Sequence, residues 1–205
     1  MNKNSITYSR VKLKFSEKGY KFFTDPYDLN VFGIRSNFKI AGDFDDLLGI
    51  AFIDNEGCEK LFLFNATTDS GAQYLLNPLH PKGAAILMTG QYPSAYKIGV
   101  HGRTWSSGGY EALEQINPMK YVRDNNKNNI IGDSVTPIFS GVLKTNIHRA
   151  SKWKILDKIG PYSAGCQVIQ SPIDFEIFMS ICKQQDIHGL GDKFTYTLLE
   201  EKDFA

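Results

Sequence analysis

The sequence predicts a mainly β fold with a few helices, a β-rich α+β class. Many short runs of β-branched and aromatic residues are separated by Gly, Pro, Asn or Asp, and the chain has 18 glycines. Helical periodicity is clear in only one stretch, near the C-terminus. With 205 residues, 42% of them hydrophobic and 13% aromatic, the chain can bury a sizeable core, which excludes a disordered protein.

Six segments carry the strand signal. Each is rich in residues that favour a pleated, half-buried surface, and each is bounded by turn-forming residues. They are residues 31–35, 47–54, 60–65, 84–90, 95–101 and 120–123. Between the second and third segments, Asn55-Glu56-Gly57 is typical of a tight turn and predicts a hairpin.

One helix is predicted over residues 171–185. Ser171 is a suitable N-cap, Pro172 fits the first turn, and Asp174 places a carboxylate at the positive end of the helix dipole. Apolar residues then recur at helical spacing, which predicts one buried face. That face consists of Ile173, Ile177, Phe178, Ile181 and Cys182. Residues 109–115 are predicted as a short second helix.

The domain organisation allows two interpretations. Residues 1–60 form an N-terminal β extension of peripheral strands and residues 61–205 the main domain, or the whole chain is one continuous domain. The first 30 residues mix Lys, Tyr and Phe, which favours a peripheral strand pair or a loose arm. No internal repeat and no low-complexity linker marks a boundary.

Charge and cysteine content exclude several classes of function. The chain has 23 basic and 22 acidic residues, so its net charge of +1 argues against an electrostatic nucleic-acid binder. No apolar run is long enough to insert into a membrane, and the N-terminus lacks the apolar core of a signal peptide, so we expect synthesis in the cytoplasm. Cys58, Cys166 and Cys182 form neither a disulfide framework nor a zinc motif, and we expect no metal and no cofactor.

The residues most informative about chemistry are a cysteine and a histidine. Cys166 directly follows Gly165, where the chain can turn sharply because glycine lacks a Cβ. A substrate carbonyl can then approach the backbone N–H groups of Gly165 and Cys166, which predicts an oxyanion hole. A sulfur nucleophile needs a base or a cation nearby. His148 lies 18 residues upstream, an interval that can place it on a neighbouring strand.

These residues resemble the L,D-transpeptidase (YkuD-type) catalytic domain family. That family carries a His followed by a Ser/Thr-x-Gly-Cys motif, and this chain has His148 and then Ser-Ala-Gly-Cys at residues 163–166. The resemblance is firm over residues 141–185 and implies a β-sandwich with a helix after the catalytic Cys. It also implies that Cys166 is the nucleophile and His148 the base in acyl transfer through a thioester. The implied substrates are peptidoglycan stem peptides, or muropeptides.

The chain departs from the family pattern around these residues. Ala164 stands where a His is usual, Arg149 where Gly is common, and Gln167 begins a different sequence after the Cys. The family's contacts to the donor carboxylate therefore do not carry over, and Arg149, Arg123 and Gln167 are alternative replacements. The sequence Ser-Ala-Gly-Cys-Gln-Val at residues 163–168 also resembles a divergent phage-associated or Bacteroidetes-type branch of this family.

Three further residues are candidates near the substrate. Ser163 either bonds near the active site or only forms a turn, and Tyr162 either lines a cleft or packs at the rim of the core. His101, followed by Gly102, is a possible substrate-side residue and the rival candidate for the base.

Several functions remain open at this stage. Transpeptidation and hydrolysis, as a carboxypeptidase or an endopeptidase, are both compatible with the resemblance. We expect a monomer that reaches the cell wall or periplasm by export, lysis or injection. A papain-like hydrolase is disfavoured because such enzymes place the Cys before the His. The remaining alternative is a non-catalytic phage structural or wall-binding module on the same β scaffold.

Overall fold

The mainly β class is confirmed by the structure, a computed structural model that describes residues 2–132 and 137–205. Each of the six predicted strand segments overlaps an observed strand. The strands of the described residues are β1 (Asn30–Arg35), β2 (Asp46–Ile53), β3 (Glu59–Thr67), β4 (Ala84–Leu87), β5 (Gly90–His101), β6 (Tyr110–Gln115), β7 (Met119–Asp124), β8 (Phe139–Gly141), β9 (Ile147–Arg149), β10 (Gln167–Ile169) and β11 (Lys193–Glu200).

Eight strands close into a barrel, in the order β1-β11-β5-β6-β9-β10-β3-β2, and β4-β7-β8 form a separate three-stranded sheet. The resemblance implies a β-sandwich, and the structure differs from it, because one sheet closes on itself instead of packing face to face on a second. Neighbouring barrel strands are antiparallel except β1 with β11 and β9 with β10, which are parallel. Strands β1 and β2 from the first 60 residues belong to this barrel, and a boundary after residue 60 would cut β3.

The helices are α1 (Tyr8–Glu17), α2 (Ala72–Leu76) and α3 (Pro172–Ile187). The first 30 residues are predicted to form a strand pair or a loose arm, and this prediction is wrong for the residues that form helix α1. This helix begins where the Thr7 side chain accepts the Arg10 N–H at 3.3 Å. No helix in the described part of the chain is long and apolar enough to cross a membrane.

The helix predicted over residues 109–115 is also wrong, because this segment is β6. Its sequence, Tyr-Glu-Ala-Leu-Glu-Gln at residues 110–115, contains good helix formers. It pairs along its whole length with β5, from His101 opposite Tyr110 to Tyr96 opposite Gln115. Tertiary pairing therefore overrides the local propensity.

Helix α3 confirms the predicted C-terminal helix and its cap, since Ser171 Oγ accepts the Asp174 N–H at 3.3 Å. The predicted buried face is shifted, however. Ile173 is 67% exposed and Ile177 40% exposed. The residues that pack into the barrel core are Phe175, Phe178, Met179 and Cys182. Phe178 and Cys182 are therefore buried as predicted, whereas Phe175 and Met179 take the places expected for Ile173 and Ile177.

The barrel interior forms the main hydrophobic core, and α3 belongs to the same cluster. Its largest fully buried members are Tyr96, Tyr196, Phe178, Phe194, Leu29, Leu48, Ile50 and Leu113. A second cluster lies on the opposite face of β1, where Val11 and Phe15 of α1 contact Phe32 and Ile34. Strand β1 is therefore buried on both faces.

A buried ion pair ties the ends of several strands together. Arg35 Nη2 lies 2.8 Å from Asp69 Oδ1, and its Nη1 donates to the Leu87 carbonyl at 2.8 Å. Asp46 accepts three further bonds beside it, from the Ser36 N–H, the Thr68 N–H and the Thr68 hydroxyl. These contacts fix the residues that follow β3, which lie against the candidate site described below.

We predict that Gly33→Ala destabilises the protein by about 1–3 kcal/mol, the usual cost of overpacking a core. A Cβ at Gly33 would overlap the Tyr196 hydroxyl, which donates to Gln167 Oε1 at 2.8 Å. Urea denaturation measures the change. Gly141→Ala in β8 is the control, because its nearest contact is 3.9 Å and we expect a change below about 0.5 kcal/mol. Equal stabilities of the two variants would contradict the packing argument.

Candidate active site

Two parallel neighbouring strands carry His148 and lead away from Cys166. His148 in β9 is in register with Val168 in β10, and the Gln167 N–H donates to the Asn146 carbonyl at 2.9 Å. Cys166 immediately precedes β10, two residues before Val168. Because side chains alternate between the faces of a sheet, Cys166 and His148 lie on the same face.

The turn before Cys166 is fixed by Ser163, which is fully buried. Its Oγ lies 2.7 Å from the Asp69 carbonyl and 2.8 Å from the Cys166 carbonyl, and it accepts the Gly165 N–H at 3.3 Å. Gly165 adopts a φ of +122°, and a Cβ there would come within 3.2 Å of the Ala85 carbonyl. The turn therefore requires glycine, and Ser163 serves to hold it.

This arrangement changes the expected oxyanion hole. The Gly165 N–H already donates to Ser163 Oγ, so it is not directed at a substrate carbonyl. The Cys166 N–H is the remaining donor of the predicted pair. Any second donor must come from elsewhere in the site.

His148 is held in one tautomer by its neighbours. Its Nδ1 lies 2.8 Å from the Arg149 carbonyl, which can only accept, so Nδ1 carries the proton. The Tyr110 hydroxyl lies 3.3 Å from the same nitrogen and donates to the same carbonyl at 3.2 Å. The lone pair is then on Nε2, which is buried and has no hydrogen-bond partner among the described residues.

His148 is uncharged in the resting site. Burial, followed by the neighbouring His101, lowers the pKa of His148 to about 3, against the opposing effect of the Arg149 and Tyr162 backbone carbonyls beside the ring. The imidazole is therefore neutral at pH 7. His101 stacks on it with ring centroids 3.9 Å apart and planes 12° apart. Burial and then Arg149 also lower the pKa of His101, so both rings of the stack are neutral.

Cys166 rests as a thiol. Burial raises the pKa of this thiol to about 11. Part of the side chain is nevertheless accessible to solvent. Its S–H donates to the Lys144 carbonyl at a sulfur–oxygen distance of 3.7 Å. Among the described residues the sulfur makes no hydrogen bond to either histidine. The resting pair is thus a neutral thiol and a neutral imidazole rather than an ion pair.

A cleft of about 360 Å³ opens beside His148. Its walls are mainly aromatic and include His101, Trp105, Tyr110, Trp153 and Tyr162. Trp153 is 82% exposed and Tyr162 40% exposed, so both rings are accessible to a ligand. Arg149 and Lys152 are the cationic residues of the lining.

The other predicted site residues lie in different environments. The Gln167 side chain is fully buried in the barrel, where it accepts from Tyr196 and donates to the Thr68 carbonyl at 3.4 Å. Arg123 is in the three-stranded sheet, where it donates to the Gly83 carbonyl at 3.0 Å and lies over the Tyr121 ring. Neither side chain lines the cleft beside His148, and Cys166 and Ser163 are not among its lining residues either.

Sequence reasoning missed three residues of the site. Tyr110 was assigned to a helix, yet the glycine-rich loop between it and His101 is a hairpin signal that could have placed the two opposite each other. Trp105 lies in that loop and packs against His101 with ring centroids 5.2 Å apart. Trp153 lies in an irregular segment, and no pattern in the sequence predicts its position on the cleft.

Comparison of the chain with protein-family models, with curated proteins and with solved structures gives no match. The resemblance to the L,D-transpeptidases therefore stays a prediction that rests on the motif residues. The described residues contain one group of potential metal ligands, Asp54, Glu56 and Cys58, on the turn between β2 and β3. Asp54 is already paired with Lys60 at 2.9 Å, so this group does not indicate a metal site.

We predict that alkylation of Cys166 accelerates steadily with pH. With a thiol pKa of about 11, the thiolate fraction rises about tenfold per pH unit between pH 7 and 10. The rate constant for iodoacetamide at Cys166, measured by peptide mass spectrometry, should follow this slope. The exposed Cys58 is an internal reference for the reagent, and circular dichroism verifies the fold at each pH. A rate that is already constant below pH 7 would indicate a resting ion pair instead.

We also predict that His148 makes the protein less stable in mild acid. Because burial lowers its pKa, the unfolded chain takes up a proton below pH 6.5 that the folded state refuses until about pH 3. Between pH 6.5 and 4.5 the wild type should lose about 2 kcal/mol more unfolding free energy than His148→Gln. Burial also raises the pKa of Asp46 to about 7, and this carboxyl makes the folded state more stable as the pH falls. The contribution of Asp46 is the same in the wild type and in His148→Gln, so it cancels when the two are compared.

Urea denaturation at several pH values measures this difference. His80→Gln is the control, because His80 is exposed in a loop and its replacement should leave the wild-type pH dependence in place. Identical slopes for the wild type and both histidine variants would show that His148 is not held neutral.

Proposed function

We propose that the protein is a cysteine acyl-transfer enzyme with Cys166 as the nucleophile and His148 as the general base. The observation that carries this proposal is the pairing of β9 with β10. This pairing sets a neutral histidine, whose Nε2 is buried and makes no hydrogen bond among the described residues, on the same face as a cysteine at a tight turn. The third group of the arrangement is the Arg149 carbonyl, which orients the base.

The chemistry proceeds from the neutral pair. As Sγ attacks a substrate carbonyl carbon, the C–S bond forms and the thiol proton moves to His148 Nε2. The imidazolium then gives that proton to the leaving amine as the C–N bond breaks, which leaves a thioester on Cys166. An acceptor amine or water attacks the thioester and loses a proton through His148, and the sulfur regains it as thiol. Proton transfer of this kind contributes about 10²–10⁴ to the rate.

Backbone donors would stabilise the tetrahedral intermediate. The Cys166 N–H is the donor that the structure leaves for this role, since Ser163 occupies the Gly165 N–H. One such donor contributes about 10²–10³ in rate. The buried Ser163 supports catalysis indirectly, because it fixes the turn that aims the Cys166 N–H and sulfur.

The proposed substrates follow from the motif resemblance. A peptidoglycan stem peptide would donate its acyl group to Cys166 and release a terminal D-amino acid. Transfer to an amine would make a cross-link at the cell wall, and transfer to water would trim the peptide. The cleft beside His148 supports a peptide substrate, because its exposed aromatic rings and two cationic residues suit a ligand with both apolar and acidic parts.

One observation favours a second candidate, a non-catalytic wall-binding module. The Cys166 thiol is protonated and bonded to the Lys144 carbonyl rather than to His148. In such a module the aromatic cleft would bind a wall component and the cysteine would have no chemical role.

We predict that incubation with a disaccharide-tetrapeptide leaves a thioester on the wild type that intact-mass analysis detects. Cys166→Ala should abolish the adduct and all turnover, because no nucleophile remains. His148→Gln should slow turnover by about 10²–10⁴. Cys58→Ala, at the exposed turn between β2 and β3, is the matched control and should behave as the wild type.

The small products in the same reaction identify the acyl acceptor. Dimeric muropeptide indicates transpeptidation, and tripeptide alone indicates hydrolysis. Absence of both adduct and turnover with tetrapeptide, pentapeptide and cross-linked substrates would favour the binding module.

A further inference from the structure

The segment at residues 143–145 lies against the Cys166 sulfur and is held in place by one buried side chain. Gln115 Oε1 accepts the Leu143 N–H at 3.0 Å, the Thr145 N–H at 3.0 Å and the Thr145 hydroxyl at 2.9 Å. Its Nε2 donates to two further backbone carbonyls, at 3.0 and 3.1 Å. Both polar atoms of this side chain are therefore bonded, and the bonds fix the segment on either side of its central residue.

That central residue, Lys144, has an unusual backbone conformation. Its φ is +58°, in the left-handed region that residues other than glycine seldom adopt. Its side chain is exposed to solvent. A conformation of this kind persists only where the surrounding contacts impose it. The bonds from Leu143 and Thr145 to Gln115 are contacts of that kind.

The conformation of Lys144 decides which group the Cys166 thiol bonds. The Lys144 carbonyl accepts the S–H at a sulfur–oxygen distance of 3.7 Å, while His148 Nε2 makes no hydrogen bond among the described residues. A hydrogen bond to the neutral form of an acid disfavours its ionised form. Burial raises the pKa of the thiol, and the Asn146 backbone N–H beside the sulfur lowers it. Two backbone groups of neighbouring residues thus act on the sulfur in opposite directions, and the carbonyl is the one that stabilises the thiol.

We propose that Gln115 and Lys144 are positioning residues that hold the nucleophile in a resting state. Gln115 fixes the segment, Lys144 directs its carbonyl at Sγ, and the S–H must leave this carbonyl before its proton can pass to His148 Nε2. The release changes only the acceptor of a hydrogen bond and breaks no covalent bond. This inference rests on the proposed function, since it concerns the regulation of the cysteine that attacks the substrate.

Substitutions at Lys144 test the inference, because they change the preference of the backbone and leave the carbonyl in place. Glycine favours the left-handed conformation, and a β-branched residue disfavours it. Lys144→Gly and Lys144→Val remove the same exposed charge, so the pair isolates this preference. We expect iodoacetamide to alkylate Cys166 about 5–30-fold faster in Lys144→Val than in Lys144→Gly, which is the usual preference for glycine in this conformation. Peptide mass spectrometry between pH 7 and 10 measures both rates, and the profile of Lys144→Val should lie about one pH unit lower.

Internal controls separate this effect from a general loss of packing. Cys182 is buried in the core and should stay unmodified, whereas a loosened fold would expose it. The exposed Cys58 reports on the reagent. The two tyrosines that interact electrostatically with Cys166 stay neutral below pH 10, because burial raises the pKa of Tyr110 to about 12 and that of Tyr96 well above its usual value.

Lys127 provides the matched control for the backbone effect. Its φ of +55° is also left-handed and its side chain is exposed, but it follows β7 in the other sheet. Lys127→Gly and Lys127→Val should alkylate Cys166 at equal rates.

Gln115→Met tests whether Gln115 holds the segment. Methionine is of similar length but offers the Leu143 and Thr145 N–H groups no amide oxygen. Cys166 should react faster in this variant, and the ratio between Lys144→Val and Lys144→Gly should fall to within about twofold, because the two residues act through one segment. If Gln115→Met does not fold, the Lys144 pair decides the question alone.

Equal alkylation rates in Lys144→Gly and Lys144→Val would overturn the proposal, as would a faster rate in Lys144→Gly or the same ratio in the Lys127 pair. The measurement uses no substrate, so it is separate from the test of the enzyme. If the ratio behaves as expected while the wild type forms no thioester, the proposed enzyme function fails and the resting contact stands. Turnover by the wild type together with equal rates in the Lys144 pair would leave the enzyme function in place and remove the resting contact.

Discussion

The Arg35–Asp69 ion pair is the constraint on which the site depends. It joins the end of β1 to the segment after β3 and, through the Leu87 carbonyl, to the end of β4. The Asp69 carbonyl in turn receives the Ser163 hydroxyl, which holds the turn before Cys166. Breaking a buried pair of this kind leaves an uncompensated charge and costs about 3–5 kcal/mol. The position of the cysteine is therefore set by charges in the barrel wall.

Much of the fold follows from local patterns. The six strand segments and the helix after Cys166 are visible in the sequence because alternation, turn residues and an N-cap mark them. Strands β6, β8, β9, β10 and β11 and helices α1 and α2 are not predicted. Strand β6 has a helix-forming composition and is decided by its pairing with β5. The short strands β9 and β10 have three residues each and acquire their parallel pairing only when the barrel closes.

The candidate site is likewise only partly predictable from the sequence. The interval between His148 and Cys166 could be interpreted from the sequence, because a strand-sized separation suffices to place them side by side. The role of Ser163 could not, since its burial and its bond to the Asp69 carbonyl depend on residues far away in the chain. Likewise the state of Cys166 is set by desolvation, which no motif encodes, and only the packed turn shows that its thiol is protonated.

A main-chain carbonyl, that of Arg149, orients His148, so amino-acid substitutions affect this contact less than they would a side-chain contact. When a side chain orients a catalytic histidine, one substitution can remove it. Every amino acid carries a carbonyl at position 149, so no single replacement there deletes the acceptor. The alignment of the base is thus robust to mutation, and the side chain at that position is free to diverge.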